Sequence, residues 1–276
     1  MVHRNMIALA LCLPVLICCA VAQEAAPPPA TEGVHPAAVP RPFAPPSPTA
    51  TVEELEQRGN ELREEKAYRD AIDYYLAALG KTSDRPVQAS LYNRIGIAQL
   101  QLQHLREAQK NFDRALKKQK NLAEARNNLG VACYLEKKYS RAIDEYRKAI
   151  QLNDTEASFH NNLGTAYFAS KQFDRAMAEY RRAIQLDPEV FHHTSRVGVA
   201  AQLSNVDDRA LFAFLLARTY AQAGDIDRSL EYLRKAIEDG YPDIKNVYKD
   251  EEFSALRKDP RFTDLMAAKP KAIQEQ

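Results

Sequence analysis

The chain has 276 residues, with 38 lysines and arginines against 37 aspartates and glutamates. Because Arg4 lies in a predicted signal segment, the rest of the chain has no net charge, and its composition excludes the basic field on which nucleic-acid binding depends.

Residues 1–22 are typical of a secretory signal. An apolar run over residues 6–22 ends in Ala20-Val21-Ala22, a small-x-small cleavage pattern. The run is short for a membrane span, which needs about 20 apolar residues, so we expect cleavage before Gln23 and only transient contact with a membrane. The mature chain would then be periplasmic or secreted. The alternatives are an uncleaved anchor and a lipid on Cys18 or Cys19.

Cysteine usage follows from this cleavage. The mature chain would keep Cys133 alone, so no intramolecular disulfide could form and packing would have to supply the stability. We expect Cys133 to be a small buried hydrophobic residue rather than a reactive thiol.

Residues 23–51 are expected to form a disordered linker. Nine prolines lie between Pro27 and Pro48, among alanines and threonines and without apolar periodicity. Such a segment cannot bury enough apolar surface to fold, and its polyproline stretches predict a semi-rigid spacer.

A repeat with a period of about 34 residues organises the rest of the chain. Asn-Asn-Leu-Gly occurs at residues 127–130 and again at 161–164. After each copy comes a series of aromatic, alanine, aromatic and alanine: Tyr139, Ala142, Tyr146 and Ala149, then Phe173, Ala176, Tyr180 and Ala183. Small residues allow two helices to approach closely, while the aromatic rings fill the space beside them. The pattern resembles the tetratricopeptide repeat family, in which stacked helix-turn-helix units form a superhelix with a concave groove.

The resemblance implies an all-α protein, an α-solenoid of about five units over residues 52–243. The units are 52–85, 89–122, 123–156, 157–190 and 210–243. Residues 191–209 interrupt the period and are expected to form a loop or a short hairpin. Residues 244–268 no longer repeat, so we expect a helical C-terminal cap there, followed by a frayed tail over 269–276.

The sequence contains no catalytic constellation. It has no Gly-x-Ser-x-Gly elbow, no glycine-rich phosphate loop and no His-Glu-x-x-His motif. His160, His192 and His193 have no paired cysteines and lack metal-ligand spacing. We therefore expect neither enzymatic activity nor a metal or other cofactor.

The groove provides the candidate site for a protein or peptide partner. In the family the first helix of each unit lines it, and the residues just before Leu-Gly often face a bound peptide. Here those residues are Asn93, Arg94, Asn127, Asn128, Asn161 and Asn162. An asparagine amide can both donate to and accept from a peptide backbone. We expect the Asn128 and Asn162 amides to point into the groove and to be solvated in the free protein.

The carboxylate clamp of chaperone-binding members fits this sequence poorly. Its five positions fall on Glu56, Asn60, Arg94, Glu124 and Asn128. The two glutamates have the wrong charge, so binding of an acidic C-terminal tail is not expected.

Two hypotheses follow. The first is an exported scaffold for protein–protein interaction that binds its partner in the groove. The alternative is a non-catalytic accessory subunit of an envelope complex for secretion or polysaccharide export. The sequence names neither the partner nor the oligomeric state.

Overall fold

A computed structural model describes residues 43–191 and 206–268, and within these ranges the fold is helical without strands. Five helical pairs follow one another: α1 (Val52–Glu64) with α2 (Tyr68–Lys81), α3 (Arg85–Gln101) with α4 (Leu105–Lys118), α5 (Ala123–Leu135) with α6 (Tyr139–Leu152), α7 (Ala157–Ala169) with α8 (Phe173–Leu186), and α9 (Val206–Ala223) with α10 (Ile226–Glu238). The predicted α-solenoid is confirmed. None of the described helices is both long enough and apolar enough to cross a membrane.

A glycine–aromatic contact holds each of the first four pairs together. A Cβ added to the glycine of the first helix would lie 2.5–2.6 Å from a ring carbon on the second helix. The pairs are Gly59 with Tyr75, Gly96 with Phe112, Gly130 with Tyr146, and Gly164 with Tyr180. All four rings are fully buried. The absence of a side chain on the glycine is therefore what lets the second helix lie this close.

Left-handed residues close the turns within these pairs. Three residues separate the two helices in each of the first four pairs. The middle residue has φ near +60° and is a lysine or a glutamine: Lys66, Gln103, Lys137 and Lys171. In the fifth pair the corresponding residue is Gly224, with φ of +81°. The backbone N–H of the next residue donates to a carbonyl in the last turn of the first helix, as from Lys138 to the Cys133 carbonyl at 2.9 Å. This bond satisfies a carbonyl that has no partner within the helix.

Successive pairs stack through their helices. The second helix of each pair packs on the first helix of the next, and α3 also contacts α5, which contacts α7. First helices therefore line one side of the stack, here called the first-helix face. The opposite side, lined by the second helices, is the second-helix face.

The junction between α8 and α9 uses aromatic rings. Phe212 lies 5.6 Å from Phe168, 5.5 Å from Tyr180 and 6.1 Å from Phe191, measured between ring centroids in edge-to-face geometry. Helix α9 begins at Val206, so the predicted fifth unit, 210–243, starts too late. Residues 192–205, and with them the expected loop or hairpin, lie outside the described residues.

The predicted linker extends too far, because residues 43–51 contact the first unit. The Arg58 guanidinium lies over the Phe43 ring, 5.8 Å from its centroid, and Lys81 Nζ donates to the Pro48 carbonyl at 2.6 Å. Thr51 then begins α1 with a capping box, in which Thr51 and Glu54 bond each other's backbone N–H. This stretch covers the exposed end of the first unit. The remaining linker residues and the predicted signal lie outside the described residues.

The C-terminal segment packs on α9 and α10. It consists of three short 3-10 turns (Ile244–Tyr248, Glu251–Phe253 and Leu256–Lys258) and helix α11 (Pro260–Ala267). Four of its apolar side chains are buried, namely Val247, Phe253, Leu256 and Phe262. Arg218 of α9 also pairs with Glu252, so the end of the stack is covered by apolar contacts and a charged pair. The predicted tail, 269–276, lies outside the described residues.

The glycine contacts predict that two Gly→Ala substitutions change the free energy of unfolding in opposite directions. Gly130→Ala places a methyl group against the Tyr146 ring and should lower the free energy of unfolding by about 1–3 kcal/mol through overpacking. Gly80 of α2 has no atom within 4 Å of an added Cβ, so Gly80→Ala should raise it by about 0.5–1 kcal/mol through helix propensity. Urea unfolding followed by circular dichroism measures both. Equal changes in the free energy of unfolding for Gly130→Ala and Gly80→Ala would contradict the close approach of Gly130 to the Tyr146 ring.

Candidate peptide-binding groove

The six predicted groove residues lie on three neighbouring first helices, but they differ in burial. Asn127 and Asn128 of α5 are fully buried and Asn162 of α7 is 2% exposed. Asn93 and Arg94 of α3, and Asn161 of α7, are partly exposed. The expectation that Asn128 and Asn162 are solvated in the free protein is therefore wrong.

The buried amides bond one another across the units. Asn162 Nδ2 donates to Asn127 Oδ1 at 3.0 Å, and Asn128 Nδ2 donates to Asn93 Oδ1 at 3.0 Å. Within α5, Asn127 Nδ2 lies 3.5 Å from Asn128 Oδ1, a long and weaker contact. The side chains thus form one chain of amides that joins α7, α5 and α3. Their role in the described structure is to hold neighbouring units in register.

A different network joins α1 to α3. Arg94 forms an ion pair with Glu56 at 2.7 Å and also donates to Asn60 Oδ1. The Tyr75 hydroxyl donates to the same Asn60 oxygen at 2.9 Å. Burial raises the pKa of Tyr75, while the guanidinium groups of Arg63 and Arg94 offset part of that rise. Two cationic side chains therefore lie close to the Tyr75 hydroxyl.

A pocket of about 350 Å³ opens beside this network on the first-helix face. Its lining comes from α1, α3 and the start of α5: Arg63, Ser90, Asn93, Arg94, Ile97, Leu122 and Glu124. Two of the six predicted residues, Asn93 and Arg94, line it. The pocket therefore brings amide, guanidinium, carboxylate and aliphatic groups together.

Two charges in this pocket have no ion-pair partner within the described part of the chain, those of Arg63 and Glu124. The Arg63 Nε is buried and has no hydrogen-bond partner there. Arg94, in contrast, is neutralised by Glu56. The pocket thus offers a ligand one cation from α1 and one anion from α5.

Sequence reasoning missed Arg63. A signal was present, because Arg63 occupies the unit position at which later units carry Leu100, Tyr134 and Phe168. A cation in place of an apolar side chain marks a departure from the repeat.

The five positions of the carboxylate clamp do not form a cluster of cations. Glu56 neutralises Arg94, and Asn128 is buried.

Neither His160 nor Cys133 offers a reactive site. His160 Nδ1 lies 2.7 Å from Glu179, and its Nε2 lies 3.3 Å from the Asp154 carbonyl oxygen. Cys133 is buried as expected, and burial raises its pKa to about 11, so little nucleophilic thiolate forms at neutral pH. In residues 43–191 and 206–268 no three histidine, cysteine or acidic side chains form a metal-binding group. His192 and His193 fall outside those ranges.

Models of the tetratricopeptide repeat match residues 93–157, 157–190 and 212–238. The chain contains tetratricopeptide repeats. The matched stretches contain α4 to α8 in full, together with most of the fifth pair. The remaining first unit carries the same glycine–aromatic contact, between Gly59 and Tyr75.

Solved structures that are similar to this chain include several of MamA. One crystal structure of MamA is 21% identical, with 66% of this chain and 93% of that chain covered and a TM-score of 0.46. MamA from Desulfovibrio magneticus RS-1 is 16% identical over 72% of this chain and 97% of that chain, with a TM-score of 0.48. YrrB, described as a TPR protein with an unusual peptide-binding site, is 18% identical over 74% and 90%, with a TM-score of 0.44. No curated protein matches the chain.

The amide chain predicts that two adjacent asparagines differ sharply. Asn162→Ala leaves the buried Asn127 oxygen without its donor and should lower the free energy of unfolding by about 1–3 kcal/mol. Asn161 is partly exposed and its side chain makes no hydrogen bond to the described residues, so Asn161→Ala is the matched control and should change stability by less than about 0.5 kcal/mol. Thermal and urea unfolding of the two variants test this. If Asn162→Ala left the free energy of unfolding unchanged, the amides would have to be solvated in the folded protein.

Proposed function

We propose that this protein is an exported, non-catalytic interaction scaffold that binds an extended segment of a partner protein on the first-helix face of its first three units. The single observation that carries the proposal is the pocket between α1, α3 and α5, whose walls hold a guanidinium and a carboxylate that form no ion pair with the described residues. The repeat fold itself supports protein binding in general terms, because stacked units present extended surfaces to partners.

The pocket suits a peptide chemically. Asn93 is partly exposed, and although its Oδ1 accepts from Asn128, its Nδ2 can donate to a carbonyl of a peptide backbone. Ile97 and Leu122 offer aliphatic surface for a side chain. Arg63 would then attract an acidic group and Glu124 a basic group of the same segment. A partner with charges of both signs along one extended stretch is therefore favoured over a purely acidic tail.

Burial directs binding to the N-terminal part of the face. Asn162 bonds Asn127 and Asn128 bonds Asn93, so a peptide could bond these buried amides only by breaking contacts between units. Asn93 and Arg94 are the predicted residues that also line an open pocket. We therefore place the partner along α1 and α3 rather than along α7.

Export rests on residues 1–22, whose apolar run and Ala20-Val21-Ala22 ending support a cleaved signal. Intact-mass measurement of the protein recovered from the cell envelope or the medium tests this part separately. A mass that begins at Gln23 is expected. A mass that includes the first residues, or a lipid on Cys18 or Cys19, would contradict cleavage.

Photo-crosslinking locates the binding site even when the partner is unidentified. A photoreactive amino acid in place of Ser90, in the pocket wall, should capture a discrete partner whose crosslinked peptide identifies the bound segment. The same group in place of Gly80, which is exposed on α2, is the matched control and should capture none.

Affinity measurements on the identified segment then test whether the Arg63 charge contributes to binding. Arg63→Ala should weaken its binding by about 1.5–3 kcal/mol, because a charge-assisted hydrogen bond is lost from a partly buried site. Arg141→Ala, on the exposed surface of α6, should leave affinity unchanged. Equal capture from Ser90 and Gly80, or an unaltered affinity of Arg63→Ala, would contradict binding in this pocket.

A further inference from the structure

A second pocket, of about 460 Å³, lies on the second-helix face between α6 and α8. Its floor is formed by α7, and its lining residues are Arg147, Ile150, Gln151, His160, Leu163, Tyr167, Arg175, Ala178 and Glu179. None of these residues lines the pocket on the first-helix face. The proposed partner site therefore leaves this second pocket unexplained.

The repeat shows which side chains make this pocket distinctive. At the corresponding positions of the preceding unit, the chain carries Asp113, Arg126 and Asp144. The pocket instead has Arg147, His160 and Ala178. Two carboxylates are thereby replaced by a guanidinium and a methyl group.

The floor residue changes in length as well as in chemistry. Arg126 reaches across from α5 to pair with Glu145 of α6 at 3.0 Å. In the next unit the shorter His160 makes the equivalent contact with Glu179 of α8, at 2.7 Å. A shorter floor side chain and the small Ala178 leave room between the two second helices.

The charges at the rim are not balanced by the neighbours that the structure describes. Arg147 is exposed and makes no hydrogen bond or ion pair within the described part of the chain. Arg175 donates to the neutral Gln172 side chain at 2.8 Å and lies over the Tyr167 ring, 5.7 Å from its centroid. Glu179, the one carboxylate lining the pocket, is already engaged by His160. Two guanidinium groups therefore have no carboxylate partner among the described residues.

We propose that this pocket is a second docking site, which takes an acidic side chain of a partner peptide together with a neighbouring aliphatic residue. The carboxylate would bind between Arg147 and Arg175, where guanidinium groups can offer paired donors. The aliphatic side chain would lie on Leu163 and the Tyr167 ring. This site lies on other helices than the proposed groove and does not depend on it.

A peptide fits this chemistry better than a polyanion does. Nucleic acids and anionic membranes bind through many cations acting together, whereas this pocket offers two beside an apolar floor. The Glu179 carboxylate would repel closely spaced phosphates. A single carboxylate next to an apolar side chain matches both the charge and the floor.

Nuclear magnetic resonance titration of the isotope-labelled full chain tests the proposal with two synthetic probes. They are the capped pentapeptide Ser-Leu-Asp-Leu-Ser and the same peptide with Asn in place of Asp. We expect shifts at α6, α7 and α8, an affinity about tenfold higher for the Asp peptide, and a loss of that advantage as salt concentration rises.

Substitutions taken from the chain's own repeat supply matched variants. Arg147→Asp installs the residue that the preceding unit has, and it should abolish the preference for the Asp peptide. Arg181→Asp makes the same change of charge at the same unit position of α8, outside the pocket, and should keep the preference. Arg147→Gln, which removes the charge alone, should give the same loss as Arg147→Asp, and it replaces that variant if the latter does not fold.

Several outcomes would overturn the proposal. They are equal affinity for the two peptides, no shift at millimolar peptide, shifts confined to α1 and α3, and equal losses for Arg147→Asp and Arg181→Asp. Retention on phosphatidylserine vesicles or on a single-stranded oligonucleotide, without peptide binding, would assign the pocket to a polyanion instead.

Discussion

The contact between a glycine and an aromatic ring is the constraint on which the rest of this structure depends. Because the ring of Tyr75 fills the space that a Cβ of Gly59 would occupy, α1 and α2 are held at a fixed short separation. That separation suits a three-residue turn, and its repetition makes the pairs alike enough to stack. The contact also directs the ring's hydroxyl toward the first helix. In unit 1 the hydroxyl bonds Asn60, so the packing contact extends into the polar network beside the first pocket.

Two kinds of chemistry then join the units. Between α3, α5 and α7 the joints are buried amide pairs, which fix register because a displaced amide would lose its partner in a dry environment. In α9 the positions equivalent to Asn161 and Asn162 hold Phe214 and Leu215, so the amide chain cannot continue. Aromatic rings around Phe212 take over at that joint. The period is interrupted where the joining chemistry changes from polar to apolar.

The sequence predicted what one unit determines within itself and missed what depends on its neighbours. The period and the positions of Gly130, Ala142 and Tyr146 specify a helical pair, and the fold followed from them. The burial of Asn128 was missed because its partner, Asn93, lies 35 residues away in another unit. The turns were not visible as turns, since a residue such as Lys137 takes the left-handed conformation in place of the usual glycine. The contact of residues 43–51 with α1 and α2 was missed because proline content suggested disorder throughout.

Both proposed sites arise where the chain departs from its own repeat. Arg63 replaces an apolar residue on the first-helix face, and Arg147 with Ala178 replaces two aspartates on the second-helix face. In a solenoid each unit contacts only its neighbours, so such a change perturbs one joint and leaves the others intact. Side chains that keep the repeat, such as Asn162, are engaged in stacking and are not free for a partner. In a protein built this way, the comparison of each unit with the one before it separates the side chains that hold the stack from those that can bind.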